Sequence, residues 1–331
     1  MLLDDFLAPR ILIVSGKGGA GKTTVAASLA LVAARRGRQV CLAEVDGKGP
    51  LGRLFGAATL DHEPTELLPG IWGMNISADK ALEEYLAVQY HMRRMSRVLT
   101  HSHFVDYITT AAPGLKDILI LGKVWYLEQG RPTARRAPRF DTIVLDAPAS
   151  GHMRTFLSAP IGLSNAVKVG PIRRQSDWLL EMLRDPARAR VHLVTLAEEM
   201  PVSETLETSE ELHHALRVHA GPTFANAIYP NIFSASERKG FIANGDGGLK
   251  RRLRVASEKA GLKLDGEDAD ELLAYARFLE GRRSIQARYL RALRKGSLQP
   301  IVELPFQFAA GLTLPDLEIL ADVIEERVEE L

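Results

Sequence analysis

A doubly wound α/β fold on a mainly parallel sheet is predicted for this 331-residue chain by three features. Short, wholly apolar runs alternate with helical segments, as strands buried on both faces alternate with their crossover helices. The first run, Ile11-Leu12-Ile13-Val14, passes through a glycine-rich loop into an alanine-rich helix that opens at Thr24 and ends near Gly37. Hydrophobic residues make up 46% of the chain, enough at this length to bury a large core. The length allows one extended α/β domain or two smaller ones. We read a single domain over residues 1–331, with helical additions at about 79–130, 155–190 and 235–296.

The elements follow in order. Arg38 to Val45 reads as a second strand after a Gly37 turn, and Gly70 to Ser77 as a third. Residues 79–99 are predicted helical, with apolar positions at Leu82, Tyr85, Leu86, Tyr90 and Met92. Pro113-Gly114 signals a helix from about Leu115 to Gln129. Thr142-Ile143-Val144-Leu145 is a short apolar strand ending in Asp146, and Ala147 to His152 reads as a compact turn. Later strands are His192 to Thr195, Thr223 to Ile228 and Pro300 to Leu304. Of the later additions, one holds Trp178-Leu179-Leu180-Glu181-Met182-Leu183. The other is arginine-rich, and its loop from Asn244 to Gly248 is the predicted mobile point.

Lysine and arginine number 42 against 41 aspartates and glutamates, so no global charge directs the chain to nucleic acid or membrane. The single cysteine, Cys41, excludes an internal disulfide and any C-x-x-C zinc or iron–sulfur site supplied by one subunit. It sits in an apolar strand and reads as a buried, inert thiol. No signal peptide and no apolar run of membrane-spanning length is evident, so a cytoplasmic protein without stable membrane insertion is expected.

The loop itself, Gly16-Lys17-Gly18-Gly19-Ala20-Gly21-Lys22-Thr23-Thr24, lies in the strand–loop–helix setting of a phosphate-binding loop. Its glycines let backbone N–H groups curl around phosphate oxygens, and the helix N-terminus adds partial positive charge. In that setting Lys22 neutralises the β- and γ-phosphates, and the Thr23 hydroxyl completes a Mg2+ shell. Ligands of a doubly wound sheet lie beyond the carboxyl ends of its strands, which selects Asp46 and Asp146. Asp46 is read either as the group that orients water and holds Mg2+ through its hydration shell, or as a strand-end cap. Asp146 has the same two readings, a water-mediated Mg2+ contact or a cap. Gly151 is placed to donate its N–H to a γ-phosphate; His152 is a γ-phosphate sensor or a loop histidine.

Lys17, in Lys-Gly-Gly-x-Gly-Lys-Thr-Thr, resembles the deviant loop of the dimeric P-loop ATPases, in which an extra lysine reaches the partner's nucleotide. End to end, the chain resembles the arsenite-pump and tail-anchored-protein-targeting ATPases. The family's first switch, Asp-Pro-Ala-His-x-Leu-Ser-Asp-x-Phe-Gly, corresponds to Asp46 to Gly56, where Asp46, Leu51, Phe55 and Gly56 match and the Pro, Ala and His do not. The second switch corresponds to Asp146 to His152 with its proline displaced by one. Pro113 to Asp117 is similar to the family's Pro-Gly segment, and Glu198 with Glu204-Thr205 to its glutamate and Glu-Thr segment. The resemblance implies that Glu198 lies near the nucleotide across a dimer, that Asn226 reads adenine, and that Pro305-Phe306 covers the base.

The resemblance therefore implies an ATP- and Mg2+-dependent ATPase, a homodimer or a heterodimer with a paralogous chain, coupled to a hydrophobic protein client. The zinc cysteine pair of the eukaryotic targeting factor and the arsenite-binding cysteines of the pump are absent here, and one ATPase domain stands where the pump has two. No zinc and no iron–sulfur cluster is expected. Met92, Met95, Trp178, Leu179, Met182 and Leu183 are candidates for a client groove, with ordinary helix packing the favoured reading. Two alternatives stay open: the energising subunit of an anion or metalloid exporter, and a partition or septum-positioning ATPase. The acidic last helix, with Asp316, Glu318, Asp322, Glu325 and Glu326, opposes a lipid-binding tail, and the arginine runs lack interleaved aromatics, so no nucleic acid is expected.

Overall fold

The computed structural model describes residues 2–45, 50–57, 59–89, 114–130, 137–234 and 245–331. Helix α1 (Leu3–Leu7) precedes strand β1 (Ile11–Gly16), helix α2 (Lys22–Arg35), strand β2 (Val40–Val45) and the short α3 (Pro50–Leu54). Strands β3 (Thr65–Leu68) and β4 (Ile71–Ile76) lead to α4 (Ala78–Gln89) and α5 (Leu115–Glu128). Then come β5 (Thr142–Ala149), α6 (Ser150–Ala166), α7 (Pro171–Arg184), β6 (Ala189–Leu196) and α8 (Glu199–Glu211), which ends in a π-helical turn at Leu212–Leu216. Strand β7 (Thr223–Ile228), α9 (Gly245–Lys259), α10 (Gly266–Gly296), β8 (Ile301–Pro305) and α11 (Leu314–Glu329) complete the chain.

The strands form one sheet in the order β3-β4-β2-β5-β1-β6-β7-β8. Among the described strands only β3 runs antiparallel to its neighbour. The doubly wound, mainly parallel expectation holds. Because successive side chains on a strand point to opposite faces, β1 divides its apolar residues between two layers. Ile11 and Ile13 join Cys41, Ala43, Ile143 and Leu145 beneath α4 to α7. Leu12 and Val14 join Leu42 and Val144 against α2 and α11. In α11 the buried set Leu317, Leu320, Ala321, Ile324 and Val328 follows the three- and four-residue spacing of a one-sided helix. Its acidic face meets α2, where Arg35 pairs with Asp322 and Glu325 and Arg36 with Glu329. A third cluster, with Leu290 and Leu293 of α10 against Val202, Ala225 and Ile228, seats the long helix beside α8 and β7.

Several local expectations need correction. Ala147 to Ala149 continue β5 and do not turn: the residue before Pro148 is biased to extended backbone, and Ala149 pairs with Gly16 of β1. Gly151 and His152 therefore stand in the first turn of α6. Gly245 to Gly248, expected in a loop, open α9; the first turn of a helix tolerates glycine because its N–H groups need no intrahelical partner. Strand β3 was not foreseen, being a four-residue edge strand with two exposed positions. Asn244, Tyr90, Met92, Met95 and Pro113 lie outside the described residues. Leu179, Met182 and Leu183 are buried in the helical layer, and Trp178 stacks on Trp125 with centroids 5.2 Å apart. Cys41 is wholly buried, which pushes its thiol up to about 12. Among the described residues no helix is long and apolar enough to cross a membrane.

Candidate nucleotide-binding site

The site is assembled at the carboxyl ends of β1 and β5, the central strands of the sheet. Gly16 closes β1 at φ +147°, and a Cβ there would lie 2.0 Å from the Val194 carbonyl oxygen. Gly21 has φ +91°, and a Cβ there would lie 2.1 Å from the Asn226 amide nitrogen. Only glycine fits either position. Gly18 and Gly19 face open space. The loop closes through Ala20 N–H donating to the Lys17 carbonyl at 3.2 Å, and Lys22 Nζ donates to the same oxygen at 3.3 Å. Helix α2 begins at Lys22 with Gly21 as an N-cap that supplies no side-chain acceptor. Its first N–H groups, including those of Thr23 and Thr24, thus have no intrahelical acceptor and can meet an anion.

Two side chains tie the loop to β5. Ser15 Oγ donates to the Pro148 carbonyl at 2.7 Å, and Thr23 Oγ1 donates to Asp146 Oδ2 at 2.6 Å. The other Asp146 carboxylate oxygen is buried and has no hydrogen-bond partner among the described residues. Burial, with Glu44 nearby, pushes the Asp146 carboxyl up to about 6 against the opposing Thr23 hydrogen bond and Lys22 charge. Burial also lowers the Lys22 ammonium from its ordinary value, with Asp146 and Glu204 opposing. A cavity of about 460 Å³ opens here, lined by Lys22, Thr23, Asp146, His152, Lys116 and Thr155 among others. His152 thus faces the same space as the loop lysine. Gly151 sits at the second helical position of α6, where its N–H lacks an intrahelical acceptor.

Lys17 stands apart from this group. It pairs with Glu204 of α8 at 3.3 Å, and Glu204 also accepts a hydrogen bond from Ser150, the first residue of α6. Ser15, Ser150 and Glu204 join the site in the structure without belonging to the loop motif. Glu204 had a signal, its place in the Glu-Thr segment, whereas a lone serine beside a glycine loop has none. Asn226, in the carboxyl half of β7, donates from Nδ2 to the Ala20 carbonyl at 2.9 Å and so reaches the loop. Pro305 ends β8, and Phe306 lies beyond it, its ring stacked on Tyr229 at 4.7 Å. Glu198 is half-buried at the N-cap of α8 and pairs with Arg282 of α10 at 3.4 Å, away from the cavity in its own chain. Asp46 lies outside the described residues.

Among the described residues no group of three or more His, Cys, Asp or Glu is placed to hold a metal. Mg2+ needs less, since it commonly takes one or two protein oxygens together with substrate phosphates and water. The Thr23 hydroxyl and the unpartnered Asp146 oxygen suit such an ion.

Residues 9–177 match the anion-transporting ATPase family, a span running from the start of β1 through the loop and Asp146 into α7. ATPase BagA of Mycobacterium tuberculosis is 33% identical over 325 residues, covering 96% of this chain and 93% of that protein. The chain belongs to the anion-transporting ATPase family. Two more distant relatives bracket it. The arsenical pump-driving ATPase of Escherichia coli is 26% identical over 62% of this chain and 37% of its own length. ATPase GET3 of Podospora anserina is 25% identical over 70% of this chain and 68% of its own length. As a member of the anion-transporting ATPase family the chain binds nucleotide and hydrolyses ATP, and the cradle of β1, α2 and β5 is the part of the fold suited to that chemistry.

Proposed function

We propose that this ATPase is a dimeric switch in which Mg2+-ATP binding closes two subunits face to face and hydrolysis reopens them. The observation that carries the proposal is the different surroundings of the two lysines of one loop. Lys22 is drawn into the cavity beside Asp146, where an ammonium meets the β- and γ-phosphates of the chain's own nucleotide. Lys17 does not line the cavity; about a third of its side chain is in water, and Glu204 holds it. A lysine so placed is free to exchange Glu204 for the γ-phosphate of a partner's nucleotide, as an arginine finger supplied in trans does.

In this reading Gly16 to Thr24 cradle the triphosphate, Thr23 and Asp146 would hold Mg2+, and Asp46 orients the attacking water. Bound Mg2+ would neutralise charge on the β- and γ-phosphates. Gly151 and His152, in the first turn of α6, meet the γ-phosphate, so that its loss is felt by α6 and, through Ser150 and Glu204, by α8. Asn226, Pro305 and Phe306 belong to the base side of the pocket, and Glu198 to the partner's nucleotide. One ATPase domain spans the chain, with its helical layer handling a hydrophobic protein client in the cytoplasm. The dimer pairs two copies or one copy with a paralogous chain.

Lys17→Ala tests the switch. ATP affinity measured by calorimetry should stay within about threefold of wild type, while turnover should fall by about 10³. Full turnover in that variant would remove the trans role. Asp46→Asn should hold a closed, ATP-bound dimer in sedimentation experiments, and a wild-type hydrolysis rate would remove Asp46 from the chemistry.

A further inference from the structure

The geometry points to Gln286 of α10 as a positioning residue for nucleotide binding, acting through the backbone bulge that carries Asn226. Strand β7 does not run straight to its end: its register against β8 shifts between Ala225 and Ile228. Ala227 within that shift has φ +57°, a left-handed conformation that an alanine adopts only when its surroundings impose it. Gln286 supplies that constraint. Its Nε2 donates to the Ala227 carbonyl at 2.8 Å, and its Oε1 accepts from the Tyr229 N–H at 2.8 Å. The amide thus spans the bulge with a donor on one side and an acceptor on the other, and it is only 7% exposed. No other neutral side chain of this length presents a donor and an acceptor in that fork.

What the bulge aims is Asn226. Rotating the backbone at Ala227 turns the preceding side chain towards the loop, where Asn226 Nδ2 meets the Ala20 carbonyl at 2.9 Å and lies against Gly21. On the other side of the clasp, Tyr229 is fixed for its stack with Phe306, whose N–H donates to the Ile228 carbonyl at 2.9 Å. A continuous chain of contacts therefore runs from α10 through Gln286, the bulge and Asn226 to Ala20 and Gly21, residues of the phosphate cradle. Releasing the clasp lets Ala227 relax to an ordinary extended backbone, which withdraws Asn226 from the loop. The chemistry is untouched, because none of these groups lies at the Lys22–Thr23–Asp146 centre. The inference rests on the nucleotide-site reading given above.

The test is a thermodynamic cycle on the full chain with Gln286→Met, Asn226→Ala and the double variant, using ATP with magnesium in calorimetry. Gln286→Met should weaken ATP binding by about tenfold, and should add less than about twofold once Asn226 is already alanine. In steady-state assays KM for ATP should rise while kcat stays within about twofold. Full additivity of the two substitutions, or unchanged ATP affinity in Gln286→Met, would overturn the inference. Gln286→Glu keeps the acceptor for Tyr229 and loses the donor to Ala227, and its affinity should fall between wild type and Gln286→Met; it carries the test where the methionine variant does not fold, and a wild-type affinity there would also overturn it. Absence of any ATP binding by the wild-type chain would instead defeat the nucleotide-site reading.

Discussion

The two ends of the central sheet handle polar groups in opposite ways. At the amino ends of the parallel strands three guanidiniums are anchored. Arg10 donates to the Phe140 carbonyl at 2.6 Å, and Arg38 to the Leu7 carbonyl at 2.7 Å and to Thr142 Oγ1 at 3.2 Å. Arg188 forms a two-pronged pair with Glu128 at 3.1 and 2.9 Å. At the carboxyl ends, Asp146 keeps a buried oxygen without a partner among the described residues, and Lys22 is desolvated. The loop there adopts backbone angles reserved for glycine. One end is satisfied as it stands; on the proposed reading the other is completed by an incoming anion and cation. The proposed site thus segregates stability and function along the strand direction, as expected where ligands bind beyond strand carboxyl ends.

The sharpest way to break this division is to cut a group at each end and read both binding and stability. Lys22→Ala, at the functional end, should weaken ATP binding by more than about 100-fold, since a charged partner of the phosphates is removed from a partly desolvated site. Its ligand-free melting temperature should not fall, because burial already disfavours the Lys22 charge. Unchanged ATP binding would show that the loop is not the cradle. Arg188→Ala, at the opposite end, should do the reverse. Glu128 has only 6% of its side chain exposed, and loss of its partner leaves a buried carboxylate paired, among the described residues, only through the Gln129 amide. The expected cost is about 2–3 kcal/mol in denaturant unfolding, below the full buried-pair penalty because Arg188 itself keeps 20% of its side chain in water. ATP affinity should stay within about twofold. A large loss of affinity in Arg188→Ala would erase the distinction between the two ends.

The proposed site at the carboxyl end leaves the more local pattern in the sequence, for a physical reason. A phosphate cradle demands glycine where backbone approaches backbone, and it demands lysine and a hydroxyl at fixed offsets, so Gly16, Gly21, Lys22 and Thr23 form a compact local pattern. Apolar β-strands with a terminal carboxylate marked Asp146 in the same way. What could not be read locally depends on residues far apart in the chain. The Gln286 clasp joins groups 57 and 59 positions away, and its glutamine is one polar residue among many on a long charged helix. Glu204 gains meaning only when α8 is laid beside Lys17. Pro148 misled for the opposite reason: a proline–alanine–serine–glycine run has turn composition, yet pairing with β1 at Gly16 and the Ser15 hydrogen bond draw it straight. Edge strand β3, short and half exposed, carries too little hydrophobic pattern to be seen.

The smallest expected effect tests whether the functional end is held in an uncompensated state until ligand arrives. The Asp146 carboxyl is raised from 3.8 to about 6 by burial, so the folded protein binds its proton more tightly than the unfolded chain. The contribution of this group is therefore greatest below about pH 4, and it is lost as pH rises towards 6 and the buried carboxylate ionises. Asp146→Asn removes that charge and keeps an oxygen to accept from Thr23. In ligand-free protein at pH 8 it should raise stability by about 1–2 kcal/mol, an increase of roughly 2–4 °C in melting temperature, and at pH 4 it should change nothing. With Mg2+-ATP present the order should reverse, because the wild-type carboxylate then has a cation to meet and the amide does not. Equal melting temperatures of the ligand-free proteins at both pH values would place Asp146 among the satisfied groups of the fold, and the contrast between the two ends would then rest on the loop glycines and Lys22 alone.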